Sequence, residues 1–339
     1  MVEASGNGSN NGGDGNGSSA ALTDDLVLPF QTVRSNISGR IVRLGPSLDR
    51  ILPRHEYPDA VGEALGQSLA LTSLLGTALK FDGRLIMQTK TDGPLDMLVV
   101  NYDTPGHLRG YASFDAERLQ ADLDARNPQD AGRSNPAQPL VLGSGHLAMT
   151  IDPGGDMDRY QGIVALQNET LTSAAMNYFR QSEQLPTFLR LAVARVYEPS
   201  SGGNAWTWRA GGLLLQHIAH SGGTPQTETE GEPLPLSGED DDDWRRTKLL
   251  AATVEDHELI DPKLTPERLL YRLFHEEGVR VQNPHPLIDQ CRCSRERVTG
   301  FLHQFAAKGL DDLREPDGAI TVTCEFCNES YRFEPGDVE

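Results

Sequence analysis

The chain has 339 residues, of which 37% are apolar, and a formal net charge of −19. This length predicts about two domains, and the apolar fraction supplies one good core but not a core along the whole chain. The strong negative charge argues against non-specific binding to nucleic acid or to anionic membranes.

The first 24 residues are rich in Gly, Asn and Ser and lack the basic start and apolar run of a secretory signal. We expect them to form a disordered tail. The apolar stretch at 60–79 carries one charge, Glu63, but many Gly, Ser and Thr residues, and no aromatic belt precedes it. It is predicted to be a helix buried on nearly all sides in a soluble core rather than a membrane span.

Alternation of apolar and polar residues predicts most of the strands. They are expected at 84–89, 95–102, 108–114, 146–151, 160–166, 187–196 and 205–209. The polar stretch at 116–139 is interpreted as a loop insertion with one helical turn at its start, and 171–184 as a helix. Gly211 and Gly212 are expected to break the chain before an apolar run at 213–218.

The segment at 221–243 contains eight acidic residues and neither Lys nor Arg, so it cannot bury enough apolar surface to order itself. Helical spacing returns at 244–259. Thr265 is a suitable cap for the next helix, with Pro266 at its first position and Gly278 as its stop. The sequence therefore predicts two helices between an acidic segment and a small C-terminal module.

All four cysteines lie in the last 49 residues, as Cys291-x-Cys293 and, after 30 intervening residues, Cys324-x-x-Cys327. Two close pairs of this kind suit a tetrahedral zinc site in which each pair forms one chelating corner. A module of about 50 residues is too small for a robust core, so metal binding would supply much of its folding energy. We predict one zinc ion per chain, with two structural disulfides or four inert thiols as the alternatives.

The spacing of the cysteines also permits redox chemistry. A disulfide within C-x-C closes a small, strained and easily reduced ring, and C-x-x-C is a familiar redox spacing. A site that alternates between four thiolates on zinc and local disulfides is therefore chemically available. Oxidation would remove the metal ligands and unfold the module.

Two other functions are compatible with these cysteines. A nucleic-acid-binding zinc ribbon should be basic, but residues 286–339 contain six Lys and Arg against eleven Asp and Glu, a net charge of −5. We interpret Arg292, Arg295 and Arg297 as shielding the thiolates. A thiol–disulfide oxidoreductase would use Cys324 and Cys327, but that site belongs early in a βαβ unit, and none follows here.

Motifs of common enzymes are missing from the sequence. There is no G-x-x-x-x-G-K-[ST], because the dipeptide Gly-Lys does not occur, and there is no H-E-x-x-H or G-x-S-x-G. The missing Gly-Lys dipeptide therefore argues against an ATP-driven P-loop machine.

Eight segments carry a resemblance to a known family, and together they span about residues 26–336 in order. They are LKFDGR at 79–84, DGP at 92–94, RYQG at 159–162, YFRQSEQLPT at 178–187, AGGLLLQ at 210–216, LFHEE at 273–277, CRCSRER at 291–297 and CEFC at 324–327. The chain resembles the redox-regulated bacterial heat-shock chaperones known as thirty-three-kilodalton chaperonins. The combination of C-x-C with C-x-x-C at this distance is the most specific part of the resemblance.

The resemblance implies an α+β fold with an N-terminal domain of two β-sheets around a buried helix. A helical linker and a small four-cysteine zinc module would follow. With this sequence's composition shifts, we expect a tail at 1–24, a chaperone core at 25–220, an acidic and then helical redox-sensitive linker at 221–285, and a zinc-binding redox-switch domain at 286–339.

The resemblance further implies an ATP-independent holdase that binds unfolding proteins under oxidative stress and is not an enzyme. Reduced Cys291, Cys293, Cys324 and Cys327 would hold zinc in the inactive form. Oxidation would form the disulfides Cys291–Cys293 and Cys324–Cys327, release zinc and unfold the linker. We expect a cytoplasmic protein that dimerises with a second copy when oxidised and binds neither nucleic acid nor membranes.

A physical account of the switch treats zinc as a clamp on a marginal linker. The apolar side chains of the linker would be buried against the core, and that burial must exceed ordering costs of ~1–2 kcal/mol per residue. Loss of the metal would expose them to clients. The predicted client-binding residues are Leu249, Leu250, Leu269, Leu270, Leu273 and Phe274.

Overall fold

The structure is a computed structural model that describes residues 24–79, 82–125, 142–155, 157–200, 203–217, 242–306 and 313–338. The predicted N-terminal tail lies outside these residues, except for Asp24. Most of the predicted insertion at 116–139 and most of the acidic segment at 221–243 lie outside them as well.

The first sheet contains the two ends of the core sequence. Its strands follow the order β10-β1-β2-β9-β8, all neighbours are antiparallel, and β11 also pairs with β1. These strands are β1 (Leu26–Thr32), β2 (Ser38–Leu44), β8 (Thr187–Ser200), β9 (Gly203–Gln216), β10 (Val279–Val281) and β11 (His285–Pro286). A short helix, α1 (Pro46–Ile51), follows β2.

The second sheet is built from the middle of the chain in the order β12-β5-β4-β3-β6-β7. Its strands are β3 (Arg84–Thr91), β4 (Met97–Asp103), β5 (His107–Ser113), β6 (Ser144–Asp152), β7 (Tyr160–Gln167) and β12 (Ile288–Asp289). Buried and exposed residues alternate along β3, β5 and β7, which is the pattern that predicted these strands.

Helix α2 (Asp59–Gly76) packs against strands of both sheets. Its hydroxyl groups are satisfied within the helix, since Thr72 donates to the carbonyl of Ser68 and Ser73 to that of Leu69. Its glycines allow close contact with large side chains: a Cβ at Gly66 would lie 2.9 Å from Val193. The predicted α+β fold of two sheets around a buried helix is therefore confirmed, although α2 ends at Gly76 rather than at residue 79. Within the described ranges, no helix has the length and apolarity needed to cross a membrane.

Three local predictions need correction. Gly211 and Gly212 do not break the chain but lie inside β9, where a Cβ at Gly211 would come within 2.1 Å of the Leu259 carbonyl oxygen. The polar stretch begins with a helix of nine residues, α3 (Ala116–Asp124), because Asp115 caps it through two backbone N–H groups. The helix predicted at 171–184 is α4 (Leu171–Tyr178) followed by one wider turn.

The helical segment after the acidic stretch forms three helices rather than two. They are α5 (Asp242–Ala251), α6 (Asp256–Ile260) and α7 (Pro266–Phe274). They pack on the side of the first sheet that faces away from α2, and together they bury a second apolar cluster. We call the sheet side chains in this cluster the covered face: Leu26, Leu28, Phe30, Ile41, Ala192, Leu213 and Leu215.

Four of the six predicted client-binding residues, Leu269, Leu270, Leu273 and Phe274, are buried against the covered face, and Leu250 is partly buried there. Leu249 is not, because its side chain is 65% exposed. Trp244, Thr247 and Ala251 form the buried side of α5, and at about 100° per residue Leu249 falls on the opposite side.

Candidate metal centre

The C-terminal module consists of a helix and a hairpin. Helix α8 (Arg295–Ala306) begins just after Cys293, and the hairpin pairs β13 (Ile320–Thr323) with β14 (Ser330–Phe333). Cys324 and Cys327 lie in the connection between these strands. The backbone N–H of Asn328 donates to the carbonyl of Cys324 at 2.8 Å, and the N–H of Cys324 donates to the carbonyl of Glu329 at 2.9 Å. These bonds fold the connection into a tight turn.

The two cysteine pairs converge from distant parts of the module. The Sγ atoms of Cys291 and Cys324 are 3.7 Å apart, those of Cys293 and Cys327 are 3.2 Å apart, and all four sulfurs lie within 4.8 Å of one another. Four thiolates at 2.3 Å from a tetrahedral zinc would be about 3.8 Å apart. The donor set and its spacing therefore fit one zinc ion, and all four side chains are partly buried.

The thiols do not ionise equally. Burial opposes ionisation of Cys291, but hydrogen bonds with the Cys293 backbone and the other thiols outweigh it, so the pKa of Cys291 lies below its usual range. Burial raises the pKa of Cys293, and burial together with the hydrogen bond to Cys293 raises the pKa of Cys327. The negative charge of one thiolate thus opposes ionisation of the neighbouring thiols. A divalent cation would relieve this repulsion, because it stabilises coordinated thiolates.

Tyr331 provides a contact that sequence reasoning missed. Its hydroxyl group donates to the Cys293 sulfur over 3.3 Å. Partners of this kind orient a metal ligand and tune its charge. A tyrosine shortly after C-x-x-C is a weak signal in sequence, because its contact with the other cysteine pair exists only once the hairpin meets the start of α8.

The three arginines near the first pair have partners other than the sulfurs, so shielding of the thiolates is not their main contact. Arg292 pairs with Asp103 at 2.9 Å and Arg295 with Asp337 at 2.9 Å, while Arg297 donates to the Arg292 carbonyl at 2.7 Å. Positive charge does lie beside the site, in a cleft of about 390 Å³. The cleft is lined by Arg84, Arg109, Arg292 and Arg297 together with Cys293 and apolar residues of the module.

The second cysteine turn contacts the second sheet directly. Phe326 lies under the guanidinium group of Arg109, whose central carbon is 4.0 Å from the ring centroid, and its ring is 6.4 Å from that of Tyr111. The side-chain amide of Asn328 donates to the Arg54 carbonyl at 3.1 Å. One residue inside the C-x-x-C motif, Phe326, and one just after it, Asn328, therefore hold it against the core.

The first cysteine pair is fixed to the same sheet by ion pairs and by a strand. Arg54 binds both carboxylate oxygens of Asp289, whose side chain is 4% exposed, at 3.1 and 2.5 Å. Asp103 accepts from Arg84 as well as from Arg292. Strand β12 pairs in parallel with β5 and ends two residues before Cys291.

The position of the C-x-x-C pair disfavours the oxidoreductase alternative. Such enzymes place this motif at a helix N-terminus, where the thiolate is stabilised. Here Cys324 follows β13 and the chain turns into β14.

Comparisons with known proteins agree on one family. A family model described as Hsp33 protein matches residues 25–334. A 33 kDa chaperonin of Caulobacter vibrioides (strain NA1000 / CB15N) is 43% identical over 93% of this chain and 96% of that protein, and one of Shewanella loihica is 33% identical over 94% and 96%. The crystal structure of a 33 kDa chaperonin of Thermotoga maritima has the same fold, with a TM-score of 0.68 at 20% identity over 93% of this chain and 96% of that one.

Proposed function

The chain belongs to the Hsp33 family, so its function is that of a chaperone, and from this premise we propose that it is a redox-regulated, ATP-independent holdase rather than an enzyme. The observation that carries the proposal is the convergence of four sulfur atoms within 4.8 Å, in a module directly linked to the helices over the covered face. A reactive site and a hidden apolar surface are thus parts of one continuous segment.

In the reduced form, Cys291, Cys293, Cys324 and Cys327 hold one zinc ion per chain. Zinc cross-links the two halves of the module and supplies ~10–16 kcal/mol of apparent folding energy to structural sites of this kind. The module's own apolar cluster is small and centres on Leu302, Ile320, Phe333 and Val338. Such a cluster is insufficient without a cross-link.

A peroxide is a suitable oxidant for the switch. Each pair of thiolates loses two electrons and forms one S–S bond, while one hydrogen peroxide molecule takes up these electrons and two protons from solvent and becomes two waters. The disulfides are Cys291–Cys293 and Cys324–Cys327, within each pair of neighbouring cysteines. Once the thiolates are consumed, the module loses both its metal ligands and its cross-link.

Unfolding of the switch domain affects the linker directly, because the two are consecutive parts of one chain. We assign the core to residues 25–220, the redox-sensitive linker to 221–285 and the switch domain to 286–339. In the reduced form, α5–α7 bury Leu250, Leu269, Leu270, Leu273 and Phe274 against the covered face. When the switch domain unfolds, these helices detach and both apolar surfaces open to unfolded clients.

The proposed partners are those that the family resemblance implies. Clients are unfolding proteins, the oxidised form is a homodimer, and the protein works in the cytoplasm without ATP, nucleic acid or membranes. The net charge of −19 keeps the loaded complex soluble and repels polyanions.

The test combines metal content, thiol count and protection of a denatured client from aggregation. Reduced protein should carry one zinc and four protected thiols and should not protect the client. After peroxide and mild heat it should carry no zinc and no free thiols and should protect. Equal protection by the reduced, zinc-loaded form would contradict the switch.

A substitution separates the ligand assignment from the switch. Cys327→Ser should lower zinc content and expose apolar surface in part without oxidant. The matched control is Ser330→Ala, which removes only the exposed hydrogen bond between Thr323 and Ser330 in the same hairpin. Normal zinc retention by Cys327→Ser would contradict the assignment of Cys327 as a ligand.

A further inference from the structure

The centre of the covered side of the first sheet contains a buried cation whose hydrogen-bond partners are all main-chain carbonyls. Arg43 on β2 is 2% exposed. Its Nη1 donates to the Asp261 carbonyl at 2.6 Å, and its Nη2 donates to the carbonyls of Glu258 and Leu264 at 3.0 and 2.6 Å. The acceptors come from the end of α6 and the turn that follows it.

On the neighbouring strand β9, Gly211 leaves room for the main chain of the same linker segment. Gly211 pairs with Arg43 across the sheet, and a Cβ built on it would lie 2.1 Å from the Leu259 carbonyl oxygen. The main chain of residues 258–264 therefore lies flat on the sheet at Arg43 and Gly211. We call these two residues the main-chain seat; the apolar covered face shares the same side of the sheet.

This contact requires no particular side chain in the segment that occupies it. A carbonyl oxygen is present in every residue, and the space above Gly211 admits a bare backbone. A buried guanidinium group, however, must keep hydrogen-bond acceptors, because an unpaired buried charge is strongly destabilising. When the linker detaches, Arg43 loses all three carbonyls, and water or another polypeptide can replace them.

We propose that the main-chain seat, Arg43 with Gly211, is a binding site for the main-chain carbonyls of unfolded clients, and that residues 258–264 of the linker occupy it in place of a client in the inactive form. The proposal rests on the proposed function and deepens it. An unfolded chain offers unpaired carbonyls beside exposed apolar side chains. The seat and the covered face together recognise that combination without regard to sequence.

The first test measures affinity in oxidised protein for a labelled apolar peptide that has no acidic side chain and an amidated carboxyl end, using fluorescence anisotropy. Arg43→Met should weaken binding about tenfold, because hydrogen bonds to a charged group contribute more than neutral ones, and Arg43→Lys should weaken it less. The control is Arg190→Met, on the same sheet, since Arg190 contacts the linker through the Asp256 carboxylate instead. It should stay within about twofold of wild type.

An affinity of Arg43→Met equal to that of wild type would overturn the proposal. So would a loss confined to acidic clients, which would mean that Arg43 binds carboxylates rather than the main chain. Failure of oxidised wild-type protein to bind any client would instead refute the proposed function, so the two failures are distinguishable.

The second test uses unaltered oxidised protein and does not depend on whether a variant folds. A synthetic peptide with the sequence of residues 256–274 should displace the labelled client peptide, and a scrambled peptide of the same composition should displace it to a similar extent, because the seat binds main chain without regard to sequence. A Gly/Ser peptide of the same length should displace it much less, since it offers carbonyls without apolar side chains. Equal displacement by the Gly/Ser peptide, or none by the linker peptide, would overturn the claim that linker and client share the main-chain seat and the covered face.

Discussion

A single hydroxyl group, that of Tyr331, joins the hairpin to the first cysteine pair through its 3.3 Å hydrogen bond to Cys293. Tyr331→Phe removes the bond and keeps the ring. We expect zinc affinity to fall about tenfold, since partners of metal ligands contribute this much when they hold a ligand in position. Chelator competition measures it, with Tyr197→Phe on the distant β8 as control. Unchanged affinity would mean that the hydroxyl group only fills space.

Glu63 is the one charged residue in the apolar stretch at 60–79, which the sequence predicts to be a buried helix. Burial, with the nearby Asp59, raises the pKa of Glu63 from 4.5 to about 7. The ionised form is therefore disfavoured in the folded protein. The stability that the protonated group contributes is complete below pH 4.5 and is lost as pH rises through about 7.

Glu63→Gln should consequently stabilise the core at pH 8 but not at pH 5. Because the side chain is partly exposed, we expect only roughly 1 kcal/mol at the higher pH. Thermal unfolding at the two pH values measures the difference, and Glu117→Gln on exposed α3 is the control. A gain of equal size at both pH values would show that the carboxyl group is not the cause.

Helix α7 provides an aromatic contact between the linker and the core. Phe274 is fully buried, and its ring stacks on Phe30 of β1 with centroids 5.8 Å apart. Helical periodicity places Phe274 on the buried side of α7, together with Leu269, Leu270 and Leu273. Removing one such ring from a packed site typically costs 3–5 kcal/mol.

Phe274→Ala should therefore loosen α5–α7 in reduced, zinc-loaded protein, with faster amide hydrogen exchange across residues 242–274 and more binding of an apolar dye. Tyr271→Ala is a matched control, because Tyr271 lies on the same helix and is 72% exposed. The assignment of this helix as a removable cover fails if the two variants behave alike.

Across the whole molecule, the switch domain is held in two ways, through the linker and through its own contacts with the second sheet. Phe326 against Arg109 and Tyr111 is the central side-chain contact of the second kind. A cation–π contact of this kind is worth ~0.5–2 kcal/mol, so its loss should free the module without unfolding it.

Phe326→Ala should thus keep one zinc per chain but speed amide exchange in β5 and β12 and lower the peroxide concentration at which the linker opens. Leu313→Ala, an exposed position in the same module, is the control. Loss of zinc in Phe326→Ala would instead mean that Phe326 is needed for the folding of the cysteine turn. Unchanged amide exchange in β5 and β12 would mean that Phe326 does not hold the module against the second sheet.

Features that are encoded by local spacing were predictable from the amino-acid sequence. Alternation marked β3, β5 and β7, and the apolar stretch with a single charge marked α2. Helical spacing marked α7, and the intervals between the four cysteines indicated a four-sulfur site. Each of these signals lies within a short stretch of chain, or depends on residue types that have few other uses in such patterns.

Which surfaces contact each other could be seen only in the folded structure. Arg43 and Asp261, whose contact anchors the linker, are 218 residues apart in the chain. No sequence pattern near either residue predicts the contact with the other. Gly211 looks like a chain break until the main chain of α6 is seen against it, and Leu249 looks like a core residue until the orientation of α5 is known. Such contacts depend on the arrangement of whole elements, because a side chain's partner is set by the element packed against it rather than by its neighbours in sequence.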